Sequence, residues 1–242
     1  MFCTYRILLL GVITMIMSCN SSEEKSNENS TYPDVHIVNA MKNVIRNGEL
    51  EEKILLDTIS NKKGLYGLGP ERYLTGELLL IDGTSYVSRV TSDSTMQVKE
   101  TFNTSAPFFV YANVQSWQTV QLPEEITDLK SLETFIDKET ANRKRPFAFK
   151  LSGTVKTATI HVQNLPPGTS VSSPQEAHQG QVNYHLKDEP VDLVGFFSTK
   201  HQTIFTHHDS FMHIHLITQD RTKMGHLDNV YFEKMTLYLP RK

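Results

Sequence analysis

One seven-residue stretch limits what this chain can form more than any other. Residues 211–217 read Phe-Met-His-Ile-His-Leu-Ile, an alternation that suits a half-buried β-strand and not a helix. Successive side chains of a strand point to opposite faces. Met212, Ile214 and Leu216 therefore share a core face, and His213 and His215 share the other. Two imidazoles at i and i+2 can reach one metal ion. The chain then turns through residues 219–225 and arrives at His226, with ten residues between His215 and His226. That is enough for a hairpin that returns a third imidazole to the same point. Three histidines leave coordination positions open, as catalytic zinc sites do. Spacing alone leaves a second reading, three histidines with unrelated packing roles. The chain holds ten histidines, nine of them between His161 and His226.

The composition is that of a folded protein. The 242 residues are 38% hydrophobic and 21% charged, which excludes a disordered or fibrous chain and allows one large domain or two small ones. The net charge of -3 gives no basic excess that would point to nucleic acid. The start of the chain differs from the rest. Arg6 precedes an apolar run over residues 7–17, about as long as a signal-peptide core and too short to span a bilayer comfortably. The run ends in Ile16-Met17-Ser18-Cys19, which resembles the lipobox of bacterial lipoproteins. That resemblance implies cleavage before Cys19, a lipid on its thiol, and an exported protein anchored to a membrane on the cell-envelope, periplasmic side. An ordinary signal peptide with an incidental cysteine is the alternative. Cys3 and Cys19 are the only cysteines, so the remaining 242 − 18 = 224 residues hold no thiol for disulfides beyond Cys19 itself. Residues 20–31 contain no large apolar side chain and read as a disordered tether.

Helical spacing of apolar residues predicts helices over 38–45 and 49–59, and a third over 129–138 with Thr127 or Asp128 as its N-cap. The glycine-rich stretch 64–70 reads as a loop. Strands are predicted over 77–81 and 85–90, joined by the tight turn Asp82-Gly83, and then over 96–99 and 108–114. The polar run 142–146 reads as a solvated loop and a domain boundary. Strands follow over 147–151, 155–162, 191–197, 211–218 and 227–239, and the Pro/Gly/Ser-rich stretch 165–181 reads as a long surface loop. The expected organisation is a leader (1–18), Cys19 with its tether (19–33), an N-terminal α+β half (34–141) and a C-terminal α+β half (142–242) carrying the metal site. The fold class is α+β, with mixed or antiparallel sheets and few helices.

Glu77 opens a strand on the same face as Leu79 and Ile81, with Leu78 and Leu80 on the other. A carboxylate there is either partly desolvated, which raises its pKa, or a strand-end group in water. On the strand over 155–162, Val155, Thr157, Thr159 and His161 share a mostly polar face.

Scattered motifs resemble the bacterial alpha-acetolactate decarboxylase family over most of the chain. They are Gly67-Leu68-Gly69, Leu74-Thr75-Gly76-Glu77, Ala106-Pro107-Phe108-Phe109-Val110 and Leu193-Val194-Gly195-Phe196. The strongest is the segment from His213-Ile214-His215 through Asp220-Arg221 to Gly225-His226. The resemblance implies two similar α+β halves and zinc at His213, His215 and His226. It implies Glu77 as the catalytic proton donor, and a small-molecule reaction, 2-acetolactate to acetoin and carbon dioxide. Two departures stand out. Where the family carries a catalytic arginine, eight residues after a strand glycine, counting from Gly153 gives His161, which offers at most two donors and cannot copy a guanidinium fork. Family members also bring a second acidic residue from beyond the metal hairpin, and none of the residues after His226 is assigned that part; Glu233 is too poorly matched to carry it. His161 is then the candidate for the arginine's work. His207 and His208 read as a solvated loop pair, and His36, His178, His185 and His201 receive no role. The alternative function is a zinc-binding lipoprotein of the same fold that binds a small ligand without turning it over. The oligomeric state stays open, with a homodimer one expectation.

Overall fold

A computed structural model describes residues 34–241 together with the first two residues. The cleavage site, Cys19 and the tether lie outside the described residues. In chain order the elements are β1 (His36–Val38), α1 (Met41–Asn47), β2 (Ile54–Leu55), β3 (Leu65–Pro70), β4 (Glu77–Ile81), β5 (Thr84–Ser92), β6 (Thr95–Glu100), β7 (Ser105–Ala106), β8 (Phe109–Asn113), β9 (Trp117–Gln121), α2 (Leu129–Glu139), β10 (Phe147–Val162), α3 (Pro174–Ala177), β11 (Val182–Phe197), β12 (Met212–Thr218) and β13 (Met224–Pro240).

They form two main antiparallel sheets with few helices. The first has the order β1-β8-β3-β4-β5-β6 and the second β10-β11-β12-β13-β9. A further β10–β13 pairing closes β10, β11, β12 and β13 into a ring of four strands. Its strands are long because β10, β11 and β13 run 16, 16 and 17 residues. The strands expected over 147–151 and 155–162 are one continuous strand, bulged near Val155. The second sheet also takes in β9, upstream of the 142–146 run, and α2 buries Leu132 and Ile136 in its core. Asp128 is the α2 cap: its carboxylate accepts from Ser131 N–H, and the Ser131 hydroxyl accepts from Asp128 N–H. Such a cap contributes roughly 1 kcal/mol.

Two expectations are corrected. Of the glycine-rich stretch 64–70 only Gly64 lies in a turn; Leu65–Pro70 is not a loop but β3, buried along its whole length between β8 and β4. Its glycines answer the aromatic bulk of β8. A Cβ on Gly67 would stand 2.8 Å from the Phe109 ring, and one on Gly69 would stand 2.6 Å from the Phe108 carbonyl oxygen. The helix expected over 49–59 is also absent. Lys53 N–H donates to Ala106 O and Leu56 N–H to Thr104 O, so β2 pairs with β7 and a single 3₁₀ turn, Leu56–Thr58, follows. Leu56 and Ile59 then cover the outer face of the first sheet with Leu78, Leu80 and Phe109. Tertiary pairing overrides a weak helical period here.

The opposite faces of the sheets meet. Tyr66, Leu68, Leu79 and Val110 of the first pack against Ala148, Val194, Phe196, Ile217 and Met224 of the second. A smaller apolar cluster joins Met41 and Val44 of α1 to Leu74, Phe108, Leu165, Val171 and Ala177. These two layers frame the site.

Candidate metal centre and catalytic site

Strand β12 divides its side chains as its alternation requires. Met212, Ile214 and Leu216 enter the core of the second sheet. His213 and His215 face the first sheet. The hairpin to β13 sets His226 directly opposite His215. The ring nitrogens of the three come within 4.8 Å of one another, with ring centroids 4.9–5.5 Å apart. Gly225 makes this possible: a Cβ there would stand 2.4 Å from the His161 carbonyl oxygen, so only glycine lets β13 lie so close to β10.

All three imidazoles are buried, and burial is the chief reason each resists protonation. His215 is pushed down to about 3, chiefly by burial, with the neighbouring His161 adding to the shift. His213 and His226 lie well below the usual histidine value for the same reason, reinforced by neighbouring imidazoles. Neutral imidazole is the form that ligates a metal. His213 Nδ1 and both ring nitrogens of His215 are buried with no hydrogen-bond partner; backbone groups at Phe205 and Leu78 face these rings without reaching bond geometry. Leaving one buried polar atom unpaired costs roughly 1–3 kcal/mol. One nitrogen from each of the three rings can converge within 4.8 Å, a donor set that fits a bound cation.

Glu77 approaches from the other sheet. It sits on β4 beside Leu79, which points into the layer between the sheets, and is only 3% exposed. Its Oε2 is 3.6 Å from His215 Nε2, and Gln163 N–H donates to its Oε1 at 3.3 Å. Desolvation holds its pKa well above the carboxylate range; the Gln163 bond opposes the shift, and Asp228 and Glu71 reinforce it. The desolvated alternative of the two sequence readings is the one the fold realises.

His161 lies in the same row. Across the ring of strands His215 pairs with His226, and His226 with His161. The His161 and His226 rings are 4.7 Å apart. His161 Nδ1–H donates to Asp228 Oδ1 at 2.7 Å, leaving Nε2 4.0 Å from Glu77 Oε1. Asp228 carries no signal in the sequence. It is the extra residue of a bulge: Ile160 pairs with Leu227 and Thr159 with Asn229, which frees Asp228 to swing toward His161. No local sequence pattern announces that bulge. Glu233, by contrast, is exposed on β13.

A cavity of about 230 Å³ opens onto this group, lined by Glu77, His161, His213 and His226. His207 also lines it, 5.1 Å from the His226 ring, so it is not a solvated loop residue. His208, its exposed neighbour, and His178 stand at the rim. Histidine density was the available signal; proximity to the metal strand was not enough to choose among the ten.

A family model described as alpha-acetolactate decarboxylase matches residues 37–241. The chain belongs to the alpha-acetolactate decarboxylase family. It is 26% identical to the alpha-acetolactate decarboxylase of Brevibacillus brevis over 200 residues, which are 81% of this chain and 66% of that protein, just under two thirds of its length. It is 27% identical to the alpha-acetolactate decarboxylase of Bacillus licheniformis over 76% of this chain and 70% of that one. Among solved structures, alpha-acetolactate decarboxylase from Bacillus subtilis strain 168 superposes with a TM-score of 0.71 at 22% identity, covering 86% of each chain. A Staphylococcus aureus protein of unknown function, similar to alpha-acetolactate decarboxylase, gives 0.68 at 17% identity and 84% of each. These likenesses establish the two-sheet fold.

Proposed function

We propose that this protein is a zinc-dependent carboxy-lyase that converts 2-acetolactate, or a related 2-hydroxy-3-keto acid, to acetoin and carbon dioxide. The observation that carries the reading is Glu77. A carboxyl group whose pKa is raised well above its ordinary value by burial stands 3.6 Å from one imidazole of a three-histidine group, on the wall of a small cavity. Zinc held by His213, His215 and His226 would supply Lewis-acid stabilisation of the charge that collects on oxygen as carbon dioxide leaves.

The chain's own residues supply the rest. Breaking the bond to the carboxylate leaves an electron pair on the former C2, shared with the adjacent carbonyl. One proton must then reach that carbon. Glu77 holds such a proton in a dry setting, which suits a general acid working near neutrality. The Gln163 N–H fixes the carboxyl at one oxygen and leaves the other toward His215. Asp228 orients His161 through Nδ1, so Nε2 faces the cavity wall that carries Glu77. Met41, Leu74 and Phe108 exclude water from one side.

The imidazole at the arginine position favours a second reading, a ligand-binding member of the family without turnover. Incubating the full-length chain with zinc and racemic acetolactate separates the two. Acetoin and carbon dioxide in equal amounts support the lyase. Bound zinc and an intact fold without acetoin support the binder. Export and anchoring through a lipid on Cys19 belong to the same proposal, supported by the Ile16-Met17-Ser18-Cys19 boundary; the homodimer remains a proposal as well. Among the described residues no helix is long and apolar enough to cross a membrane.

A further inference from the structure

The cavity holds two cations that the metal centre does not use. Lys42 and Arg46 of α1 both line it. They are one helical turn apart and so share a face. Neither side chain has an ionic or hydrogen-bonded partner among the described residues, although Met41 N–H and Lys42 N–H anchor the helix start to the carbonyls of Ile204 and Thr203. Met41 and Val44, buried in the cluster beneath, set the rotation of α1 and leave residues 42 and 46 toward the opening. Glu77 is the one carboxylate among the lining residues, and it is buried, with its oxygens toward His215 and the Gln163 N–H. The lining therefore carries two cations without a partner among the described residues, and no acidic residue besides the buried Glu77. Helix electrostatics do not explain the pair. A last-turn arginine suits the helix C-terminus, but a first-turn lysine opposes the positive N-terminus.

We infer that Lys42 and Arg46 form an anion-recognising rim that binds the carboxylate of a small hydroxy acid while its oxygens at the other end face the three histidines. The inference rests on the proposed substrate class, and it moves carboxylate recognition off the position occupied by His161. It also predicts asymmetry between substrate and product. The substrate carries the carboxylate, and acetoin does not.

The test uses the zinc-loaded full-length chain and a Lys42→Gln/Arg46→Gln double variant. Two probes are titrated calorimetrically: 2-hydroxy-2-methylpropanoate, a stable hydroxy acid, and neutral acetoin. Each partly exposed ion pair is worth a few-fold in affinity, so the double variant is expected to bind the hydroxy acid about 10-fold more weakly. Acetoin binding should change less than about two-fold. Raising salt should weaken hydroxy-acid binding to the wild type and have little effect on the variant. Arg46→Lys, which keeps the charge, should retain wild-type binding within about three-fold. Equal hydroxy-acid binding by wild type and double variant, or equal losses for both probes, would overturn the rim. Failure here is distinct from failure of the lyase reading. Acetoin production with an unchanged KM in the double variant removes the rim and keeps the enzyme. Salt-dependent hydroxy-acid binding without acetoin production does the reverse.

Discussion

Replacing Glu77 by Gln tests the acid directly, because the change keeps size and shape and removes only the transferable proton. Removing a positioned general acid typically costs 10²–10⁴ in rate, about 3–5 kcal/mol of barrier. The loss should fall on kcat with KM little altered, since Glu77 is not placed to hold the ground-state carboxylate. Zinc content should stay at the wild-type level. The same substitution has a thermodynamic signature in the metal-free protein. Below about pH 4.5 the carboxyl is neutral both folded and unfolded. Above that, the unfolded chain ionises while the folded chain keeps its proton, because burial raises the folded pKa. Wild-type stability therefore falls with rising pH, by about 1.4 kcal/mol per pH unit, until the folded pKa is passed. Gln ionises in neither state. Melting curves in chelator at pH 5 and pH 7 should show the variant gaining on the wild type as the pH rises. A flat difference would refute the claim that the fold keeps Glu77 protonated, and undiminished kcat would refute its role as donor.

Single Ala substitutions at His213, His215 or His226 should each reduce metal content sharply from about one zinc per chain, read by elemental analysis; full occupancy in all three would place the metal elsewhere. Gly225→Ala should destabilise the fold by about 1–3 kcal/mol and lower metal affinity, because the new Cβ meets the His161 carbonyl oxygen at 2.4 Å; unchanged melting and zinc content would show that β13 does not need this close approach. Cys19→Ala should move the protein from the membrane fraction to the soluble one, and equal membrane retention would end the lipoprotein reading.

Some of this architecture was legible because single residues carry period and bulk at once. The alternation at 211–217 has one solution, and β12 adopts it with the core and metal faces as assigned. Asp82-Gly83 dictates the β4–β5 hairpin in the same way, with Ile81 paired to Thr84. Where the reading failed, the deciding partner lay far along the chain. Gly67 and Gly69 look like loop punctuation unless Phe109 and Tyr111, about forty residues away, are known to press on that strand. The 49–59 segment has a helical period, yet its backbone hydrogen bonds are taken by residues 104–106. Local pattern cannot see either competitor.

The site divides along the same line, and the division explains how the family's chemistry can shift without the fold shifting. His213, His215 and His226 are tied to one strand and its hairpin, so spacing could propose them. Glu77 and His161 reach them only through the meeting of two sheets and the closing of a four-strand ring. In that ring the position of His161 is set by register, opposite His226, whatever residue stands there. The resemblance puts an arginine at this place. A histidine can occupy it at no cost to backbone pairing, provided a polar partner takes its ring, and the bulged Asp228 does so at 2.7 Å. What changes is charge reach: an imidazole anchored to Asp228 is aimed at Glu77 and the metal row, not outward at a substrate carboxylate. Cations on α1, a separate element on the far rim of the same cavity, can then take over that anion without disturbing a single strand. The prediction that follows is a separation of effects. His161→Ala should depress kcat with hydroxy-acid affinity nearly intact, while the Lys42/Arg46 pair should govern affinity with kcat nearly intact. Steady-state kinetics of the two variants side by side would show it, and a shared loss of affinity in both would return carboxylate binding to His161.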